Sequence, residues 1–346
     1  MSDVGTKQPA IDQVHDTLGR PLHDLRISVT DRCNFRCVCC MPKEVFGPGY
    51  AFLPREELLT FDEIERLVRV FTRLGVRKVR LTGGEPLLRP NLEELVERLA
   101  ALPDIDDLTM TTNGSLLAGK AASLRKAGLD RVTVSLDSLD DDVFASMNDV
   151  DFPVERVLAG IEAAASVGLT PIKINMVVKR GVNEQSVLPM ARFFKEAGHI
   201  LRFIEYMDVG TTNGWRLDDV VSAGELVRRI HDEMPIEPVD AAYYGEVASR
   251  YRYLDGRGEI GFIASVTQPF CSACTRARLS ADGRLYTCLF AVDGHDFRQY
   301  VRDGLTDDDL LAQVESVWQG RKDQYSDLRS AQTDGLHKVE MHFIGG

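Results

Sequence analysis

Between residues 25 and 206 the sequence switches repeatedly between two hydrophobic periods, and this alternation limits the possible folds more than any other feature. Short β-branched runs such as Leu25–Thr30 (LRISVT) are strand-like, and they alternate with stretches whose apolar residues recur every three or four positions. In Phe61–Leu74, Ile64, Leu67, Val68 and Phe71 share one helix face. Thr60, with Glu63 three residues on, is a capping-box pattern, and Gly75 stops the helix. Further strands are predicted at Lys78–Leu81, Leu108–Thr112, Val132–Leu136, Ile172–Val178 and Leu201–Tyr206, with a helix from about Asn91 to Leu102. Strands separated by helices require crossover connections and hence a parallel sheet. The pattern alone admits a barrel or a doubly wound sheet. In either, ligand chemistry gathers at the carboxyl ends of the strands. Those ends carry Asp31-Arg32-Cys33, Gly83-Gly84-Glu85-Pro86, Thr111-Thr112-Asn113-Gly114, Ser135-Leu136-Asp137 and Glu205-Tyr206-Met207.

After about Val209 the pattern changes. Helices at Ala223–Glu233 and Asp307–Trp318 flank a stretch rich in Tyr, Gly and β-branched residues, Tyr243–Val266, which reads as a smaller α+β region. At 346 residues the chain has room for about two domains. Hydrophobic residues at 44% rule out disorder over most of its length. The first twenty residues hold no apolar run of signal-peptide length, and no stretch approaches the ~20 apolar residues of a membrane span. The expectation is a cytoplasmic protein that engages no membrane. Lys and Arg number 41 against 53 Asp and Glu, a net charge of −12, which opposes a general nucleic-acid surface but leaves room for a local basic pocket.

The seven cysteines form two clusters. Cys33, Cys37 and Cys40 make C-x3-C-x2-C, with Cys39 inside it, and Cys271, Cys274 and Cys288 make C-x2-C-x13-C. An odd count in a long chain fits a disulfide framework poorly. Structural zinc usually takes four protein ligands, and neither triplet shows an obvious fourth. Cys39 stands next to Cys40, a spacing that turns two side chains apart in extended or helical backbone. Three thiolates with one open position suit a 4Fe-4S cube with one iron free. Iron–sulfur, zinc and inert thiols all remain readings of the spacing.

C-x3-C-x2-C directly after the first strand, followed by a Gly-Gly-Glu-Pro strand end, resembles the radical S-adenosylmethionine superfamily. More narrowly, LRISVTDRCNFRC, VRLTGGEPLLR, MTTNG, VSLDSL, RFIEYM, C-x2-C-T-R-A-R and the terminal FIGG resemble the GTP 3′,8-cyclase family, in order from about Arg20 to Gly346. The resemblance implies a partial (β/α)6 TIM-like barrel at residues 21–220, after a flexible segment 1–20. A C-terminal α+β appendage at 221–346 would carry a second iron–sulfur cluster and a Gly-Gly tail. It implies two 4Fe-4S clusters, on Cys33, Cys37 and Cys40 and on Cys271, Cys274 and Cys288. S-adenosylmethionine would contact the backbone of Cys39, with Gly84, Ser135 and Met207. Phe35 would shield the first cluster.

For a GTP substrate the resemblance implies Arg26, Arg80, Thr111, Lys173, Arg276, Ala277 and Arg278 as contacts, with Arg26, Arg276 and Arg278 catalytic. Independently of it, Arg26, Arg80 and Lys173 each alternate with apolar neighbours, which in a strand turns them to the opposite face. In a closed barrel that face is the interior, where a buried cation needs an anion; in an open sheet it meets solvent or a carboxylate. The implied reaction makes (8S)-3′,8-cyclo-7,8-dihydroguanosine 5′-triphosphate for molybdenum cofactor biosynthesis. Implied partners are a flavodoxin- or ferredoxin-like electron donor, cyclic pyranopterin monophosphate synthase downstream, and a second copy of the chain as a homodimer. Competing expectations are another radical S-adenosylmethionine enzyme with an auxiliary cluster, and a zinc-stabilised binding protein without catalysis.

Overall fold

The structure, a computed structural model, describes residues 13–329 and 336–345. The alternating apolar residues of the first half form strands whose outer faces are sealed by helices. In chain order these are β1 (Asp24–Ser28), α1 (Phe61–Arg73), β2 (Lys78–Thr82), α2 (Leu92–Ala100), β3 (Asp107–Thr112), α3 (Leu117–Lys126) and β4 (Arg131–Ser135). Then come α4 (Asp141–Asn148), α5 (Val154–Ser166), β5 (Lys173–Val178), α6 (Val187–Glu196) and β6 (Ile200–Glu205). The capping box of α1 forms as the sequence predicts: Thr60 Oγ1 accepts from the Glu63 N–H at 3.1 Å, and the Glu63 carboxylate accepts from the Thr60 N–H at 2.7 Å.

β1 to β6 lie side by side in sequence order, each parallel to the next. A doubly wound sheet reverses its order at a switch point; this one does not, and the fold is a partial barrel. Leu25 and Ile27, Val79 and Leu81, and Val132 and Val134 are fully buried in the hydrophobic core that the helices cover. Their polar neighbours turn inward, and register aligns them: Arg26 of β1 is paired with Arg80 on one side and Arg278 on the other.

The C-terminal third continues this sheet at both edges. It comprises α7 (Ala223–Glu233), β7 (Ile236–Val239), β8 (Ser249–Tyr253), β9 (Glu259–Ile263), β10 (Arg276–Leu279), β11 (Arg284–Tyr286), β12 (His295–Asp296), α8 (Phe297–Arg302), α9 (Asp307–Gln319) and the single turn α10 (Met341–Ile344). β9 is parallel to β6 and begins a β9-β8-β7 antiparallel run, while β10 is parallel to β1 and begins a β10-β11-β12 run. The expected α+β region is thus present, joined to the barrel strand by strand. Glu205, at the end of β6, is buried and staples the join. Its carboxylate accepts from the N–H groups of Ala223 (2.8 Å), Val266 (2.8 Å) and Thr267 (2.9 Å).

Of the segment expected to be flexible, residues 1–12 lie outside the described residues. Residues 13–20 are packed, which corrects the expectation for them. Asp16 and Arg20 form a fully buried ion pair at 2.6 Å, and Trp318 donates its indole N–H to the Arg20 carbonyl at 3.1 Å. No helix among the described residues is long and apolar enough to cross a membrane.

Candidate active site

The barrel interior opens into a cavity of about 310 Å³ that both cysteine triplets line. The first triplet sits on the loop after β1. Cys33 Sγ accepts from the Phe35 N–H at 3.4 Å, and Asn113 Nδ2 approaches it at 3.9 Å. Phe35 is buried against the rings of Phe144 and Phe152, so the loop stands on an apolar support. The turn is closed by the Cys40 and Met41 N–H groups on the Cys37 carbonyl, at 3.0 and 2.8 Å. It folds the Cys39 thiol against those of Cys37 and Cys40, contrary to the divergence expected of adjacent residues.

Gly83 and Gly84 serve a packing need that spacing did not disclose. Gly83 has φ 142°, and a Cβ on either residue would strike the carbonyls of Thr30 to Arg32. The end of β2 therefore runs tightly against the cysteine loop, tied by Gly84 N–H to Thr30 O at 2.9 Å and Glu85 N–H to Arg32 O at 2.8 Å. Gly84, Ser135 and Met207 all line the cavity, as does Cys39.

The inner wall is basic. Arg80 donates to Thr111 Oγ1 at 2.9 Å and Thr133 Oγ1 at 3.2 Å. Arg276 lies over the Phe270 ring, and Arg278 donates to the Gly345 carbonyl. Arg26 makes no side-chain hydrogen bond or ion pair among the described residues. Desolvation and the neighbouring Arg80 and Arg276 push its guanidinium down to about 9. Desolvation likewise pushes Arg80 and Arg202 to about 10, and Arg278 well below its usual range. A guanidinium keeps its charge at neutral pH even so, and the surplus positive potential makes the cavity a receptor for a polyanion.

Of the expected substrate contacts, Ala277 and Lys173 do not line the cavity. The Ala277 side chain belongs to the hydrophobic core, because strand alternation turns it away from the cavity that Arg276 and Arg278 face. Lys173 enters at the start of β5 and does not line the cavity. Burial, with Arg202, Arg131 and Lys78 nearby, pushes its ammonium down to about 7. Lys78 and Arg202, which also line the cavity, escaped the sequence reading. Lys78 contacts Tyr243 OH at 2.9 Å and Asp107 at 3.3 Å, and Arg202 donates to Asn175 Oδ1 at 3.0 Å. Arg202 alternates with Leu201 and Phe203 just as Arg80 does with its own neighbours, so the signal was present.

The second triplet is held by residues remote in sequence. Arg321, 1% exposed, donates to the Cys274 carbonyl at 2.7 Å and to Cys274 Sγ at 3.1 Å, and pairs with Asp16 at 3.2 Å. Arg20 donates to the Cys271 carbonyl at 2.8 Å. Burial raises the Cys274 thiol, but Arg276 and Arg321 outweigh it and bring it down to about 7. A buried sulfur facing two guanidiniums suits an anionic thiolate ligand, and N–H donors on such sulfurs tune cluster potentials. Among the described residues neither triplet closes on a single point, as one bound ion requires. A cube offers each thiolate a separate iron, so the residues fit two 4Fe-4S clusters. All seven cysteines are free of disulfides.

The tail enters the same space. Gly345 adopts φ 73° with its Cα packed on Thr82, where a Cβ would strike the threonine methyl. Gly346 lies outside the described residues. Upstream, Glu340 accepts from Thr211 N–H and Oγ1, both at 2.9 Å, and from Thr212 Oγ1 at 3.0 Å. The tail is thereby fastened to the loop after β6 that carries Met207.

Residues 27–194 match the Radical SAM superfamily, and residues 199–327 match Molybdenum Cofactor Synthesis C. The crystal structure of Streptococcus suis SuiB bound to S-adenosylmethionine superposes with a TM-score of 0.59 at 17% identity, over 93% of this chain and 72% of that one. That likeness speaks for the fold. Fold, cysteine loop and matched segment together define a radical S-adenosylmethionine enzyme.

Within that class the full-length comparison is specific. The GTP 3′,8-cyclase of Acidothermus cellulolyticus is 55% identical, over 96% of this chain and 99% of its own. That of Staphylococcus carnosus is 48% identical, over 97% and 100%. The chain belongs to the GTP 3′,8-cyclase family.

Proposed function

We propose that this chain converts GTP to (8S)-3′,8-cyclo-7,8-dihydroguanosine 5′-triphosphate in its barrel cavity, for molybdenum cofactor synthesis. The observation that carries the reading is the convergence, on one cavity, of two cysteine triplets and a register-aligned row of desolvated arginines. Cys33, Cys37 and Cys40 would hold one cluster, and Cys271, Cys274 and Cys288 the other. The chemistry that the bound clusters and S-adenosylmethionine would supply is a radical that removes hydrogen from ribose C3′; C3′ then bonds to guanine C8, and one electron, from the reductant by way of the second cluster, and one proton complete the 7,8-dihydro product.

The protein's own residues position and enclose. Arg26, Arg80, Arg276 and Arg278 take the triphosphate, each charge-assisted hydrogen bond adding about 1.5–3 kcal/mol, with Thr111 orienting Arg80. Lys173 adds to the field from below. Ser135, Met207, Gly84 and the Cys39 backbone seat S-adenosylmethionine. Arg276 and Arg278, two apart on one strand, face the same way and lie beside the second triplet, where the guanine is held. The ribose then lies between the triplets, and the tail excludes water above it.

The finer partners belong to the same reading: a flavodoxin- or ferredoxin-like electron donor, cyclic pyranopterin monophosphate synthase downstream, a homodimer, and a cytoplasmic setting that keeps seven thiols reduced. Reduced, anaerobically reconstituted protein is expected to consume GTP and S-adenosylmethionine together. Arg276→Ala is expected to weaken GTP binding at least tenfold with iron content intact. Two zincs with no labile sulfide would contradict the reading, and loss of iron in the variant would make Arg276 structural.

A further inference from the structure

His342, on the single turn α10, is 3% exposed and lines the cavity, yet neither ring nitrogen has a hydrogen-bond partner among the described residues. An unpaired buried imidazole is costly, and a native structure keeps one where something absent completes it. The ring is held in place: it lies edge-on to Phe46 at 4.7 Å and near Tyr50 at 6.4 Å, both on the loop that follows the first triplet. Its backbone is fixed at both ends, by Glu340 on the β6 loop and by Gly345 under Arg278. The turn that carries His342 therefore joins the first triplet's loop to an arginine of the triphosphate wall.

We propose that His342 is a ligand-binding residue whose ring hydrogen-bonds a ribose hydroxyl in the cavity. This rests on the reading that the cavity binds GTP beside S-adenosylmethionine. Burial, with Arg36 nearby, pushes the imidazole down to about 4, so it is neutral at neutral pH and offers one donor and one acceptor. A phosphate, which only accepts, is already served by the arginines. A hydroxyl both donates and accepts, and so pairs with the ring nitrogen it meets whichever tautomer is present. GTP and S-adenosylmethionine each carry a ribose, and the anchorage of the tail to Arg278 through the Gly345 carbonyl favours the ribose of GTP.

The test uses full-length, anaerobically reconstituted protein with His342→Phe and His342→Asn. Phenylalanine fills the aromatic nest and removes the unpaired nitrogens. The ligand-free His342→Phe protein is expected to melt about 2 °C higher than wild type, while losing about tenfold in affinity for GTP. His342→Asn is expected to recover part of that affinity. Wild type should bind 2′-deoxy- or 3′-deoxy-GTP as weakly as His342→Phe binds GTP. If S-adenosylmethionine is weakened and GTP is not, the hydroxyl is that of the adenosyl ribose. A lower melting point in both ligand-free variants would show the imidazole already satisfied within the protein and would overturn the proposal. So would unchanged affinity for both ligands. Failure of wild type to bind GTP would instead overturn the functional reading.

Discussion

Arg26, Arg80 and Arg278 sit in one register row because three short strands each place a cation between two apolar residues. That much is legible in the sequence, and Arg202, between Leu201 and Phe203, follows the same rule. What the sequence does not disclose is which cations find carboxylates. Lys78 does, with Asp107 at 3.3 Å, whereas Lys173 has no ion pair among the described residues. With its ammonium down at about 7, Lys173 is half charged in the free protein at neutral pH. A bound polyanion favours the charged form and raises its pKa, so binding takes up a proton and weakens as pH rises through 7. GTP affinity is expected to fall about fivefold between pH 7 and pH 8. In Lys173→Met the slope should flatten, as measured by calorimetric titration at each pH; an unchanged slope would assign the titration elsewhere.

The helices and the parallel strands of the first half follow the hydrophobic periods to within a residue or two. The C-terminal strands do not, because β9 and β10 owe their existence to edges of β6 and β1 that lie far away in sequence. The same reason hides Asp16, Arg20 and Arg321: Arg20 reaches the Cys271 carbonyl across 251 residues of chain, and Asp16 pairs with Arg321 across 305. The loop after β6 is the element where these distant parts meet. Asn213 Nδ2 reaches the Met207 carbonyl at 2.9 Å and the Cys39 carbonyl at 3.3 Å, while Thr211 and Thr212 hold Glu340. Gly210 turns that loop at φ 64°, and a Cβ there would strike the Glu340 carboxylate. Gly210→Ala is expected to cost about 1 kcal/mol in global stability but to free the tail. Hydrogen exchange over residues 341–345 should then rise about tenfold, with iron content unchanged. Unaltered exchange would show that Glu340 does not fasten the tail.

At the scale of the molecule, an acidic protein of net charge −12 keeps a predominantly basic barrel interior. Surface cations pair with surface carboxylates, as Arg66 does with Asp307 and Arg250 with Glu259, both at 2.7 Å, and the arginines inside the barrel are left for the ligand. The two cysteine triplets, more than 200 residues apart in sequence, face that interior from the β1 loop and from the segment around β10. β1 and β10 are adjacent in the sheet, which brings the triplets to one cavity. The central claim is that this arrangement places the ribose of GTP between them with C3′ toward the first. The most direct measurement is turnover of GTP deuterated at C3′, followed by mass analysis of the 5′-deoxyadenosine formed. One deuterium transferred per cyclised product is the predicted result. Unlabelled 5′-deoxyadenosine would contradict it.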